Sequence, residues 1–355
     1  MTTQNWTQLK HIPPAYHMLK EQGLTEHLEE LDAYGLTVIP PEKIGDDRIL
    51  GRMRKAVLRI AEEDNGEKYD VETGAHGTTM NQGTNNSQHL LYGFLEKDQV
   101  FEEIIQHPMT LPLMEYYLGE DCNLSSLTCF IKWQDPVGYG ENLGLHDDSG
   151  LYPGYSPLPA IPHVFNTNWI LTDYTKDNGA FCIVPGSHKL CRHPEPGEGV
   201  EDAVPVEAPA GSVLAFHGNV WHGAFPKLTP GLRLSVNAYY VGPHYRLQEN
   251  FHGRISEEML ARNGVRFQEL VNYGDHMGWQ DARGPVPWHM REKIWDTLDD
   301  NEKKAVFDAN RNRKNNCKPG ETYWKTPSLC KIPTLERVNL AEDRQQHSRG
   351  GLSKI

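Results

Sequence analysis

The 355-residue sequence has no run approaching the ~18 consecutive apolar residues of a membrane-spanning helix, so no membrane partner is expected. Its opening, MTTQNWTQLK, lacks a basic stretch followed by an apolar one, so no export signal is expected there. Positive charge is in deficit: 35 Lys+Arg face 48 Asp+Glu, a formal net charge of −13. Polyanions need a cationic face, so a nucleic-acid partner is not expected. Cysteine is sparse: Cys122, Cys129, Cys182, Cys191, Cys317 and Cys330 form no C-x-x-C pair and no zinc-ribbon spacing. They read as buried free thiols of a reducing compartment, which makes the cytoplasm the expected location. The terminal Ser353-Lys354-Ile355 differs by one residue from a peroxisomal Ser-Lys-Leu address, the alternative location. No repeat of 20–50 residues is present. What the chain does have is 38% hydrophobic residues, with 8 Trp, 15 Tyr and 10 Phe to fill a core, and 17 histidines.

Local patterns divide the chain into three regions. Asp46 and Asp47 are placed to cap a helix whose Ile49, Leu50, Met53, Val57, Ile60 and Ala61 keep the 3.6-residue period. Leu24, Leu28 and Leu31 mark a shorter helix before an apolar strand at Leu36–Ile39, and residues 66–88 read as a long polar loop. A helical stretch from Phe101 to Tyr117 contains Pro108 and Pro112, so a division is expected there. From residue 124 short apolar or alternating runs recur between turn signals: Ser126–Trp133, His163–Leu171, Ala180–Val184, Ser212–Phe216 and Leu232–Val241. Such spacing belongs to an all-β sandwich or barrel. In the last run Leu232, Leu234, Val236, Ala238 and Tyr240 share one face, and Arg233, Ser235, Asn237 and Tyr239 the other, as in a strand between a core and a polar cavity. Beyond about residue 250 the chain turns helical and charged, with Ser256 capping a helix that ends near Gly264 and two more helices within 286–312. We read one catalytic domain: N-terminal helices and a first strand over 1–123, a β core over 124–245, and a helical extension over 246–355. The extension is either a self-association surface or a cover for the active site, and the oligomeric state is left open.

Three pieces of sequence carry chemistry. His146 and Asp148, two apart, reach a common point if the segment is extended. His222 follows the strand ending at Phe216, and Arg233 and Ser235 begin eleven residues after His222. Two histidines and one carboxylate form the facial triad of non-haem iron oxygenases. An arginine fork suits a carboxylate in bidentate fashion, and Ser235 adds a hydroxyl on the same face. His217 is the competing distal ligand, but it lies sixteen residues before Arg233. Strand period turns Asp147 away from Asp148. His188 is expected to hold a turn, while His163, His193, His244 and His252 belong to surface or loops. Trp221 and Tyr239 are candidates for either pocket or core. The loop 81–92 (Asn81, Gln82, Asn85, Gln88, Tyr92) reads as a solvated loop, with substrate contact as its alternative role.

Residues 30–245 resemble the phytanoyl-CoA dioxygenase family of Fe(II)/2-oxoglutarate-dependent oxygenases. The likeness rests on Asp32–Pro40, on Phe130-Ile131-Lys132 followed by His146–Gly150, on Asn178–Lys189 and on Gly211–Arg233. It implies a mainly β fold, a double-stranded β-helix of jelly-roll or cupin-like type with flanking helices. It also implies iron on His146, Asp148 and His222, and 2-oxoglutarate with its distal carboxylate on Arg233. Lys132 and Trp169 fall where some members touch the cosubstrate. The implied cofactors are Fe(II), 2-oxoglutarate and O2, with ascorbate as a candidate reductant. The implied activity is oxidation of an unactivated C–H of a small molecule, foremost hydroxylation, with succinate and CO2 as coproducts. Desaturation and oxidative cyclisation in natural-product biosynthesis use the same centre. Ala224 stands where some members have serine. A cupin-like isomerase or hydrolase is the rival of another class, and Arg233-x-Ser235 argues against it. The intact triad argues against a non-catalytic binding barrel.

Overall fold

The computed structural model describes residues 14–76, 88–148, 157–273, 298–301 and 303–304. It divides into a unit spanning Met18–Asn250 and a second comprising Met1–His17 with Phe251–Ile355. In chain order α1 (Pro14–Glu21) crosses the division after His17, and the first unit continues with α2 (Thr25–Tyr34), β1 (Leu36–Ile39), α3 (Pro41–Ile44), α4 (Asp47–Asn65), β2 (Lys68–Asp70), β3 (Gly74–His76) and β4 (Gln88–Tyr92). There follow α5 (Gln99–Ile105), α6 (Leu111–Leu118), β5 (Asn123–Lys132), β6 (Val164–Ile170), β7 (Phe181–Ile183), β8 (Val204–Pro205), β9 (Val213–His217), β10 (His222–Ala224) and β11 (Arg233–Val241). The second unit contains α7 (Glu257–Arg262) and α8 (Val265–Leu270). Ser256 caps α7 by accepting from the Met259 N–H at 3.1 Å, as expected. The helices expected within 286–312 fall almost wholly outside the described residues, as do Asn81, Gln82, Asn85, Cys317, Cys330 and Ser353-Lys354-Ile355.

Strand alternation explains the main sheet. Six antiparallel strands run in the order β1-β9-β6-β11-β5-β4, and β10-β7-β8 form a smaller sheet. Two sheets wound from strands so far apart in sequence make a double-stranded β-helix, here as facing sheets rather than a closed barrel. Leu234, Val236, Ala238 and Tyr240 on β11 are fully buried on one side of the sheet. That side carries the helical layer: the Tyr240 hydroxyl donates to the Ile105 carbonyl at 3.0 Å, and Phe165 stacks on Tyr117 with ring centroids 4.6 Å apart. The opposite face of β11 pairs Arg233, Ser235, Asn237 and Tyr239 with Lys132, Phe130, Thr128 and Ser126 of β5.

Helical expectations hold where the period is long. Asp46 caps α4 by accepting from the Arg48 N–H at 3.0 Å, and Gly66 closes it at φ 76°, the left-handed conformation glycine favours. The stretch from Phe101 to Tyr117 is divided into α5 and α6, with Pro112 in the first turn of α6, where its missing N–H removes no helical bond. Two expectations need correction. The loop expected over 66–88 contains the hairpin β2–β3, turned by Asp70, whose Oδ1 accepts from the N–H groups of Glu72 (3.0 Å) and Thr73 (2.7 Å). His146 and Asp148 do not sit on a strand: His146 makes only an isolated bridge to His222. Leu143 (φ 53°) and Gly144 (φ 64°) turn the backbone just before it.

Candidate metal and carboxylate site

Three side chains converge from two chain segments held side by side. The bridge between them is reciprocal, His146 N–H to His222 O at 3.0 Å and His222 N–H to His146 O at 2.9 Å. Gly223 permits the approach, because a Cβ there would lie 2.2 Å from the Leu143 carbonyl oxygen. His146, Asp148 and His222 then bring one ligand atom each within 4.8 Å of the others. His146 Nε2 lies 3.7 Å from Asp148 Oδ1, and His222 Nε2 lies 3.6 Å from Asp148 Oδ2.

The hydrogen bonds behind these residues fix which atoms are open. His146 Nδ1 contacts the Gly144 carbonyl at 2.7 Å and His222 Nδ1 the Val220 carbonyl at 2.9 Å. A carbonyl only accepts, so each Nδ1 carries the proton and each Nε2 turns its lone pair to the cluster, as in metal-bound histidines. Asn166 Nδ2 donates to Asp148 Oδ2 at 2.8 Å, and the Tyr239 hydroxyl donates to the Asp148 carbonyl at 2.7 Å. Burial pushes His222 down to about 4, against the pull of Asp148, so its imidazole is neutral at physiological pH. Asp147 does turn away from the cluster, to His193.

The cluster opens on a cavity of about 420 Å³ within the larger unit. One wall is polar, with Ser126, Thr128, Asn168 and Asn237; Phe181 and Phe216 give an apolar counterpart. Arg233 reaches the same cavity. It is 5% exposed, donates from Nη1 to the Tyr174 hydroxyl at 3.0 Å and to Ser235 Oγ at 3.4 Å, and leaves Nε without a partner. Directly across the β5–β11 ladder stands Lys132, 2% exposed, its ammonium over the Tyr139 ring at 4.0 Å and without a hydrogen bond. Burial first, and Arg233 second, push Lys132 down to about 7. Like charges opposite one another across a ladder destabilise a sheet, and neither hydrogen-bonds a carboxylate here. The pair therefore suits an anion brought from outside, and a carboxylate is the group its donors match.

Other sequence candidates fall elsewhere. Trp169 is on the opposite face of β6 from Asn168 and packs against His107, ring centroids 5.3 Å apart. The expected cosubstrate contact is corrected by the strand period, which carries the indole into the helical layer. His217 lies at the end of β9, where its Nδ1 accepts from the Asn219 N–H at 3.0 Å. His188 Nδ1 is buried without a hydrogen-bond partner. Tyr239 and Tyr92 line the cavity; Trp221 instead donates to the Arg192 carbonyl at 2.9 Å. Among the described cysteines, Cys122, Cys129 and Cys182 are buried and form no disulfide. Asn166 and Tyr174 escaped the sequence reading. Asn166 and Asn168, two apart and so on one face of the strand, were a usable signal; Tyr174 left none.

Fold and site define a class, a cupin-like double-stranded β-helix with a two-histidine, one-carboxylate cluster beside a buried cationic pair. Residues 31–235 match the phytanoyl-CoA dioxygenase (PhyH) family, and the chain belongs to it. Dioxygenase af480 of Aspergillus fumigatus is 28% identical over 187 residues, 52% of this chain and 58% of that protein. Dioxygenase cdmD of Talaromyces verruculosus is 30% identical over 229 residues, 60% of this chain and 73% of that protein. The chain thus spans little more than half of the first relative and about three quarters of the second. Among solved structures, HygX from Streptomyces hygroscopicus, with nickel and 2-oxoglutarate bound, superposes with a TM-score of 0.47 at 18% identity, covering 63% of this chain and 88% of that one.

Proposed function

We propose that the protein is an Fe(II)/2-oxoglutarate-dependent dioxygenase that oxidises a C–H bond of a small molecule. The observation that carries this reading is the juxtaposition of two unlike groups of side chains in one cavity. His146, Asp148 and His222 bring three ligand atoms face to face, and the buried Arg233 lines the same cavity, with Lys132 directly across the ladder from it. A divalent metal fits the first and a carboxylate the second; 2-oxoglutarate joins both needs in one molecule. His146 Nε2, His222 Nε2 and an Asp148 carboxylate oxygen would hold the iron, a donor set that suits non-haem Fe(II) and leaves positions open. When bound, iron with 2-oxoglutarate and O2 supplies an oxidant strong enough for an unactivated C–H bond, with succinate and CO2 as coproducts.

The remaining work belongs to this chain. Asn166 and the two backbone carbonyls hold the ligand side chains in orientation. Arg233, backed by Tyr174 and Ser235, and Lys132 fix the distal carboxylate. Phe181, Phe216 and Tyr139 exclude water from the cavity, so each charge interaction inside it is stronger than in bulk solvent. The polar wall of Ser126, Thr128 and Asn237 is placed for substrate. A cavity of this volume and a net charge of −13 suit a small molecule rather than a nucleic acid.

The test is anaerobic. Fe(II) plus 2-oxoglutarate is expected to give a visible charge-transfer band that disappears in His146→Ala. A wild-type protein with no band would sink the proposal. Succinate release against a substrate panel, read with the product mass shift, then separates hydroxylation from desaturation and cyclisation.

A further inference from the structure

The two aspartates of His146-Asp147-Asp148 face opposite ways, and the one that does not reach the cavity has an unusual environment. The Asp147 side chain is 2% exposed. Its Oδ2 accepts from His193 Nδ1 at 2.6 Å, while Oδ1 is buried without a partner. A carboxylate this desolvated is costly unless it is paired, so the His193 contact is what lets Asp147 stay inside. It also fixes the backbone between two members of the metal cluster.

His193 belongs to a segment, 192–199, that is braced on itself. Arg192 makes a bidentate pair with Glu198 at 2.7 and 2.6 Å, and Glu198 also accepts from the Glu195 N–H at 3.0 Å. The same segment grips the other half of the cluster. Trp221, which directly precedes His222, donates from its indole N–H to the Arg192 carbonyl at 2.9 Å, with the Arg192 guanidinium 4.9 Å above its ring. A Cβ on Gly199 would lie 3.2 Å from Trp221 Cε3, so the segment lies close on that ring. One short, rigid stretch thus holds Asp147, between His146 and Asp148, and Trp221, next to His222. None of its residues lines the cavity.

We propose that segment 192–199 is a positioning clamp for the metal cluster, with His193 as the positioning residue on the His146–Asp148 side. It sets metal affinity and coordination geometry without touching metal, cosubstrate or substrate. This rests on the metal centre proposed above and adds a device that the three ligands alone do not contain. Outer residues that orient ligands typically change metal affinity by about 10- to 100-fold. His193 acts through a neighbour's backbone, so the lower end is expected.

The full-length apo protein is titrated with Co(II), whose visible spectrum reports coordination geometry. His193→Ala is expected to weaken Co(II) binding by about tenfold and to alter the spectrum. His193→Asn keeps a donor N–H where Nδ1 stands, and is expected to restore affinity to within about threefold together with the wild-type spectrum. Leu190→Ala, at an exposed position two residues before the segment, is the control and is expected to match wild type. Urea unfolding of each apo variant runs in parallel. Wild-type affinity and spectrum in His193→Ala overturn the clamp. So does an equal loss in His193→Ala and His193→Asn that tracks the fall in apo stability, since that marks a merely structural role. A wild-type protein that binds no Co(II) overturns the metal centre and the clamp with it, which separates that failure from failure of the clamp alone.

Discussion

Replacing Lys132 with methionine separates what the fold needs from what the proposed cosubstrate needs. The amine is buried opposite Arg233 with no hydrogen bond, and burial and Arg233 bring it down to about 7 against a small pull upward from Asp135. A displacement from 10.5 to about 7 is a preference for the neutral amine on the order of 5 kcal/mol. Because the folded value lies below the unfolded one, the unfolded chain binds more protons between about pH 7 and 10.5. Stability therefore rises with pH across that window, and the full penalty is present below it. Lys132→Met removes the penalty, so the apo variant is expected to be more stable than wild type by about 1–3 kcal/mol at pH 6.5, within the range seen when a buried ion is replaced by an apolar residue. The advantage is expected to close toward pH 10.5, the top of the window. Cosubstrate binding is expected to move the other way. Loss of one charged hydrogen bond, about 2–3 kcal/mol, weakens 2-oxoglutarate by roughly 30- to 150-fold. Calorimetric titration with Mn(II) in place of iron, in buffers of different ionisation enthalpy, reads affinity and proton uptake together. Near pH 8 wild type is expected to take up close to one proton as the carboxylate re-protonates Lys132, and the variant none. A variant that is less stable below pH 7, or that binds 2-oxoglutarate like wild type, refutes the assignment.

Asn166→Leu leaves Asp148 Oδ2 without its donor and is expected to weaken metal binding by about 10- to 100-fold, read by competition with a chromophoric chelator; unchanged affinity rules out the orienting role. Trp169→Phe is expected to lower stability by about 1–2 kcal/mol through lost packing in the helical layer with 2-oxoglutarate affinity intact, and a change in that affinity would return the indole to the cosubstrate. Gly223→Ala forces a Cβ to 2.2 Å from the Leu143 carbonyl oxygen, backbone against side chain with nothing flexible to yield. The yield of folded protein or the melting temperature is expected to collapse, and a well-folded variant with an intact metal site would refute the close approach of the two ligand segments.

Local period makes much of the molecule legible in the sequence. The 3.6-residue spacing of Ile49, Met53, Val57 and Ile60 marks α4, and the two-residue alternation from Leu232 to Tyr240 separates a core face from a cavity face. Arg233 and Tyr239 duly line the cavity. Alternation also sent Asp147 and Asp148 opposite ways, although the segment pairs at a single bridge rather than along a strand. The hairpin β2–β3 stayed hidden because its three-residue strands are too short and polar to show a period. Trp169 was misplaced by resemblance although its own strand held the correction, since Asn166 and Asn168 claim the cavity face. What no local pattern could supply is register between distant strands. Lys132 is placed near the cosubstrate by resemblance alone until β11 sets Arg233 opposite it, and Asn166 is one polar residue of a strand until Asp148 arrives at 2.8 Å. His193 reads as a loop histidine until a buried carboxylate meets it at 2.6 Å. Each of these residues owes its chemistry to a neighbour supplied by the fold. Sequence therefore exposes the atoms that would meet metal and cosubstrate, whereas the groups that hold those atoms in place emerge only when strands and loops distant in sequence come together.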